Sequence, residues 1–287
     1  MHVKKRKIIS LFHLGIKVGY LFITRKIVTR SDIGNSYDLV SKTYQQEYLK
    51  IMHTYNDILL NHLIKHISKG RILDLAGGTG YNSNFIQEYN DYSIDLVDIS
   101  KQMLKQCQNS SINKVCKGML EFLTVQESCC YDAIVCTWAL MYEQQKVLNQ
   151  CQWLLKNGGY LYILVNDQQT LPQIRKIYPK LLIEYVDSIN KLMFDLPMPN
   201  NAQQLERWAK KAGLKNCRVT SKKQEFYFTD WNRAAKFVTS TGALAGYDAM
   251  LDLKNEKIFN TLVEQLQKFF TKPCITHHFV MGIFKKG

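Results

Sequence analysis

The chain has 287 residues, a net charge of +14 and 46% hydrophobic residues. That length buries a full core and accommodates one α/β domain with a cap, and no internal repeat or low-complexity tract interrupts it. Its eight cysteines are scattered without C-x-x-C spacing, which excludes a disulfide framework and a structural zinc site and reads as a reduced, cytoplasmic protein.

The charge is uneven. Residues 1–31 hold Lys4, Lys5, Arg6, Lys7, Lys17, Arg25, Lys26 and Arg30 and no acid. Between the basic flanks runs an apolar stretch, Ile8 to Ile23, too short for a span of about 20 residues and broken by Lys17. Ser10, His13, Lys17, Tyr20 and Thr24 recur at three- and four-residue steps, a narrow polar stripe on a mostly apolar helix. Three readings stand for this arm, residues 1–30. It is a helix in a membrane interface, with Lys and Arg meeting anionic head groups. It is a lid or ordinary packing helix. Or it is a targeting segment with a basic start and an apolar centre, although no small-residue cleavage site follows.

Residues 31–287 read as one domain. Helices are expected at Tyr37 to Tyr44 and from Tyr48 to Ile67. His62 and His66 lie one helical turn apart, but no third ligand accompanies them, so a solvated face is preferred to a metal site. Strands are expected at 71–76, 93–98, 113–117, 131–137, 160–166, 215–227 and 275–285, and helices near 80–89, 100–109, 144–156 and 202–212. Such alternation implies an α/β fold with a mostly parallel sheet covered on both faces. Insertions at about 167–200 and 229–272 interrupt it. They hold helices at Leu171 to Val186 and about 254–270, and a Pro-ruled loop through Asp195 and Asn200.

The chemistry starts at Arg71-Ile-Leu-Asp-Leu-Ala-Gly-Gly-Thr-Gly80, an apolar strand entering a glycine turn, answered by Ile94-Asp-Leu-Val-Asp98. At Gly77, Gly78 and Gly80 a backbone can approach a ligand closely, and Asp98 is placed to hold two ribose hydroxyls. A dinucleotide fingerprint fits imperfectly, with Ser83 at its third small position. Asp74 inside the turn repels a phosphate but suits a ligand with an amino group and a sulfonium. A purely structural glycine turn is the remaining alternative.

On these residues the chain resembles the class I S-adenosylmethionine-dependent methyltransferases, and Leu75-Ala-Gly-Gly-Thr-Gly80 is similar to the wording of the ubiquinone/menaquinone C-methyltransferases. The resemblance covers residues 37–166 well and 201–220 moderately, and it fades in 1–30, 167–200 and 229–272. It implies a Rossmann-like seven-stranded, mostly parallel sheet with an antiparallel last strand, a helical cap, and S-adenosyl-L-methionine as cofactor. The Tyr-Asp-x-x-x-x-x-Tyr pattern resembles the family's lid, with Tyr37 and Tyr44 at the positions where a tyrosine closes near the sulfonium, as cation–ring attraction would favour. Leu155-Lys-x-Gly-Gly159 looks like the family's helix stop before the fifth strand.

Ligands of open α/β sheets bind at the carboxyl ends of the strands. The cofactor residues so selected are Asp74, Ala76, Gly77, Gly78, Thr79 and Gly80, then Asp98, Ile99 and, one turn past Ser100, Met103, then Met119 and Leu120, and finally Thr137 and Trp138. Met119 stands where the family usually has an acid or amide for the adenine amino group, with Glu121 two residues late. Thr137 to Tyr142 should line the methyl-transfer chamber. No catalytic residue is assigned; His13, His53, Tyr142, Glu143, His277 and His278 are the ionisable candidates.

The reaction implied is methyl transfer by in-line displacement to a small acceptor. Phe194, Tyr227, Trp231 and Phe237 give the cap an apolar, aromatic tone that suits a lipid, quinone, acyl or aromatic molecule. Two alternatives stand: modification of RNA or protein through the basic arm, or a non-catalytic assembly protein on the same fold. Near-balance of charge outside the arm argues against nucleic acid. The localisation expected is cytoplasmic, with peripheral attachment to a membrane if the arm is interfacial.

Overall fold

The computed structural model describes residues 2–141, 144–194 and 196–287, without the side chains of 2–9 and 45–51. Tyr142, Glu143 and Asp195 therefore lie outside the described residues. In chain order the elements are α1 (His2–Ile23), α2 (Arg30–His66), β1 (Gly70–Leu75), α3 (Tyr81–Gln87), β2 (Tyr92–Asp98), α4 (Lys101–Leu104), β3 (Asn113–Cys116), α5 (Met119–Leu123), β4 (Tyr131–Thr137), α6 (Gln144–Leu154), β5 (Leu155–Asn166), α7 (Pro172–Glu184), α8 (Ala202–Lys211), β6 (Leu214–Tyr227), α9 (Trp231–Ser240), α10 (Tyr247–Met250), α11 (Glu256–Phe269) and β7 (Cys274–Lys286). They form two compact units. One gathers residues 1–47, 171–195 and 225–276, and the other residues 48–170, 196–224 and 277–287.

The second unit contains most of a seven-stranded sheet ordered β3-β2-β1-β4-β5-β7-β6. β1 runs parallel to β2 and β4, β4 parallel to β5, and β7 antiparallel to β5. This is the Rossmann-like methyltransferase sheet, with helices on both faces. Alternation along β1 sends Leu73 and Leu75 to one face, where they join Phe122 and Leu123 of α5, Leu148 and Cys151 of α6, and Leu205 and Ala209 of α8 in a continuous core. Ile72 and Asp74 take the opposite face. The order of the strands reverses between β1 and β4, so their carboxyl ends flank a crevice of the kind that holds ligands in open sheets.

The first unit is mostly helical. α11 packs on α7 and α9, and Trp231 and Phe237 are buried within it. Phe237 stands 5.0 Å from Phe226 and 5.2 Å from Phe228, ring to ring. Trp231 and Phe237 thus serve this unit's core, because both are on the inward stripe of α9, whereas Phe194 and Tyr227 are exposed.

Several boundaries differ from expectation. Residues 30–66 form one helix, since Gln45, Gln46 and Glu47 are good helix formers and no Gly or Pro stops the chain there. The helix expected over 100–109 closes at Leu104. Gly158 and Gly159 fall inside β5, not at a helix stop: β5 begins at Leu155, opposite Tyr131, and the register shifts before Ala133 meets Tyr160. Gly158 takes a φ of +77° there, and a Cβ on Gly159 would stand 2.9 Å from the Lys156 carbonyl. α5 escaped prediction because its five residues show no full helical period.

Toward the amino ends of these strands, β1, β2, β3 and β4 are tied by one buried carboxylate. Asp95 accepts from the Tyr131 hydroxyl at 2.8 Å and from Asn113 at 2.7 Å, and it pairs with Arg71 at 2.8 Å. Arg71 also lies over the Tyr131 ring. Replacing Asp95 with Ala strands a buried hydroxyl and an amide, so Asp95→Ala should lower unfolding free energy by about 2–4 kcal/mol in a urea titration, with an unchanged far-ultraviolet dichroism spectrum.

Candidate functional site

The glycine turn leaves β1 through two residues whose backbone is unusual. Ala76 has a φ of +56° and Gly78 of +57°. Across the crevice, immediately after β4, Trp138 has a φ of +67°. A non-glycine residue in this region costs on the order of 1–3 kcal/mol, so two on neighbouring strand ends require support from their surroundings.

The glycines have separate reasons. A Cβ on Gly77 would stand 2.4 Å from Leu96 and 2.5 Å from the Asp74 carboxyl carbon, and one on Gly80 2.8 Å from the Cys107 sulfur. Both are glycine because the protein itself presses on them. Gly78 meets nothing within 4 Å. Thr79 is buried beneath it.

Asp98 ends β2 with its carboxylate gripped on both oxygens. The Gly78 N–H donates at 2.9 Å and the Ser100 N–H at 2.8 Å. Its backbone carbonyl accepts from Lys117 at 3.0 Å, which ties the end of β3 to it. Ser100 caps α4 by accepting from the Met103 N–H at 3.1 Å. Met103 is buried, while Ile99, Met119 and Leu120 are half-buried. Met119 and Leu120, the first residues of α5, pack against the core. Glu121 is exposed, its carboxylate 3.4 Å from the Gly118 N–H.

Asp74 does not reach the surface: its exposure is 0%. Its oxygens accept from the Ser83 hydroxyl at 2.7 Å, the Ser83 N–H at 3.1 Å and the Asn82 amide at 3.1 Å. Burial pushes its pKa up against these bonds. A chain of buried amides continues from it. Asn82 also donates to Thr137 at 3.1 Å, Asn56 donates to Asn82 at 2.8 Å, and the Trp138 indole donates to Asn56 at 3.0 Å. The chain joins β1, α3, the second half of α2 and the end of β4. Beside it, His53 stacks on Tyr81 with ring centres 3.4 Å apart, and the Tyr81 hydroxyl donates to Asp57 at 2.7 Å. Trp138 packs edge-on to Phe279 at 5.2 Å, and Phe279 to Tyr55 at 4.7 Å.

Residues 72–159 match the methyltransferase-domain family. The ubiquinone/menaquinone biosynthesis C-methyltransferase of Francisella tularensis subsp. novicida is 28% identical over 138 residues, 44% of this chain and 55% of that protein. The chain spans about half the length of the curated relatives it matches. Among solved structures, a geranyl diphosphate methyltransferase in complex with S-adenosylmethionine has a TM-score of 0.50 at 13% identity, over 82% of this chain and 85% of that one. The [4+2]-cyclase SpnF has a TM-score of 0.50 at 13% identity, over 80% and 81%. At such identities these two structures show the fold alone.

Residues 72–159 are thus similar to the class I S-adenosylmethionine-dependent methyltransferases. The residues at this domain's strand ends fit the family's cofactor. Asp98 is an acceptor-only carboxylate at the end of β2, and a Cβ at the neighbouring Gly78 would meet nothing within 4 Å.

The turn, Asp98, Ile99, Thr137 and Trp138 are brought to adjacent strand ends as expected from sequence. Tyr37 and Tyr44 belong to the other unit, edge-to-face at 6.5 Å, with Tyr37 against the position a Gly242 side chain would fill. His62 and His66 stack at 3.9 Å, and His62 bonds the Tyr162 hydroxyl at 3.1 Å. Sequence reasoning missed Asn56 and Asn82. Asn56 did carry a signal, a polar residue on the buried stripe Met52, Leu59, Leu60 and Leu63 of α2, where it must find a partner.

Two measurements probe this chain of amides. Asn82→Ala leaves Asp74 and Asn56 short of buried partners and should cost about 2–4 kcal/mol in chemical denaturation. Burial lowers the His53 pKa to about 4 from 6.5. The unfolded chain therefore takes up this proton first as the pH drops. The corresponding stability is whole above pH 6.5 and is lost as the pH falls through about 4, by at most about 3 kcal/mol. His53→Gln should flatten that part of the stability–pH curve, measured by urea unfolding from pH 7.5 to 4.

Proposed function

We propose that the domain binds S-adenosylmethionine at the carboxyl ends of β1, β2 and β4 and directs its methyl group to a small, apolar acceptor by in-line displacement. The observation that carries this reading is Asp98, its two oxygens oriented by the Gly78 and Ser100 N–H groups beside a turn with open space at Gly78. In that role Asp98 holds the ribose hydroxyls, and the Gly78 backbone admits the amino-acid tail. Ile99 and Met119 offer apolar surface to the adenine; methionine at position 119 supplies packing without the hydrogen bond an acid or amide would make. Asp74, turned inward, positions the turn and α3.

The cofactor supplies a methyl group already activated by a cationic sulfur. What remains for the protein is alignment and exclusion of water. Thr137 and Trp138 stand where the methyl group would be delivered, and the Trp138 strain is held by the indole bond to Asn56. Burial lowers both His53 and His277 to about 4, which makes each a weak base at neutral pH. That favours an acceptor atom able to react without losing a proton to either histidine. The rings of Trp138, Phe279 and Tyr55, and the quinone-pathway name of the relatives at 28% identity, support an apolar acceptor.

Calorimetric titration tests the cofactor step. S-adenosylmethionine should bind at one site with a Kd in the usual Michaelis range, about 1 µM to 1 mM. Asp98→Ala should weaken it at least about tenfold, the loss of one charge-assisted set of hydrogen bonds. A folded protein that gives no heat removes the reading. For the acceptor, methyl-labelled cofactor incubated with a cell extract should place label in the organic phase; label confined to RNA or protein would overturn the small-acceptor assignment.

A further inference from the structure

The covered stripe of α1 is mixed: Ser10, Leu14, Lys17 and Leu21 follow at three- and four-residue steps, whereas His13, Tyr20 and Thr24 are exposed, and Leu21 at 1% exposure is the one buried residue among the described side chains of the arm. Beside this stripe, His13 Nε2 is 3.4 Å from the Asp187 carboxylate, and Lys17 Nζ lies 3.5 Å from the Asp187 carbonyl. Asp187 sits in the 3-10 turn Val186–Ser188, which with α7 is what α1 packs against within the first unit.

The opposite stripe is apolar and open. Phe12, Ile16 and Ile23 are 72%, 56% and 79% exposed, and Gly19 between them has nothing within 4 Å of where a Cβ would be. Leu11 and Phe22, on one flank, are exposed as well. A helix that belonged only to a water-facing core would be turned the other way, with the apolar stripe inward. So many large apolar side chains on one helix face mark a contact surface.

Charge selects the occupant. Residues 1–31 hold eight basic side chains and no acid, four of them at Lys4 to Lys7 and three at Arg25, Lys26 and Arg30. An apolar helix face between two basic clusters matches the layering of an anionic bilayer surface, with acyl chains at depth and phosphate or carboxylate groups at the rim. No helix among the described residues is long and apolar enough to cross a membrane, so the helix would lie in the surface plane.

We infer that α1 docks this chain on an anionic lipid surface, through the Phe12–Ile16–Ile23 stripe and its basic flanks. The inference is independent of the methyl-transfer reading, and its test uses no substrate. Flotation of the full chain with phosphatidylcholine vesicles, with and without phosphatidylserine, gives the readout. The chain should float with the anionic vesicles, at least about tenfold more than with neutral ones, and raised salt should weaken the attachment. The triple variant Phe12→Ser, Ile16→Ser, Ile23→Ser should lose at least about tenfold of that binding. Because all three residues are exposed, its melting curve should match the parent. Absence of binding to phosphatidylserine vesicles overturns the inference, as does equal flotation of the parent and the triple variant. A concentration-dependent dimer broken by the triple variant, without vesicle binding, would give the face to a second copy of the chain instead.

Discussion

The carboxylate of Asp74 is the constraint on which the site depends. It is completely buried, it sits on β1 between β2 and β4, and every bond it accepts comes from the first turn of α3. A buried charge without partners is among the costliest features a fold can contain, so β1 and α3 are held in one relative geometry. The glycine turn between them inherits that geometry. Gly77 has no room for a side chain because Asp74 and Leu96 fill its place. The same Asn82 that serves Asp74 reaches Thr137 on β4 and accepts from Asn56 on α2, and Asn56 in turn supports Trp138. Four elements, α2, β1, α3 and β4, are thus joined by Asn56, Asp74, Asn82 and Thr137.

This arrangement separates support from contact. Asp74, Asn82 and Asn56 form one buried hydrogen-bonded chain, whereas Asp98 is held by the Gly78 and Ser100 N–H groups at the end of β2. The strained φ values of Ala76 and Trp138 fall at the two strand ends that face each other across the switch in strand order. Strain of this kind persists only where neighbours over-determine the backbone, and the amide chain provides that. The neutral, stacked His53 adds a wall without adding charge.

The two units divide the sequence by its legibility. In the sheet unit, strand after strand was readable from apolar runs that end in Gly, Asp or Thr, and the site residues at strand ends followed from the alternation of strands and helices. Boundaries slipped where the local signal was ambiguous. Gly158 and Gly159 look like a helix stop, yet they sit within β5 because pairing with Tyr131 and Ala133 outweighs the local preference. Asn56 and Asn82 have no motif; only burial on a face shared by α2, α3 and β1 gives them a role. In the helical unit the aromatic residues misled, since Trp231 and Phe237 turned out to fill that unit's own core.

By itself the sequence determined the fold class, the seven strands in chain order and the resemblance to the methyltransferases, because apolar periodicity and the run Asp74 to Gly80 with Asp98 are local patterns that tolerate few alternatives. It also set the charge of the arm. Tertiary structure decided which side of each element faces inward. It turned Asp74 away from the open side of the turn, gave Gly77 and Gly80 a packing reason, and left Gly78 clear. It brought His13 and Lys17 of α1 to Asp187 and left Phe12, Ile16 and Ile23 outside. Composition and spacing define the faces of a helix, but only the partner across the contact decides which face is buried.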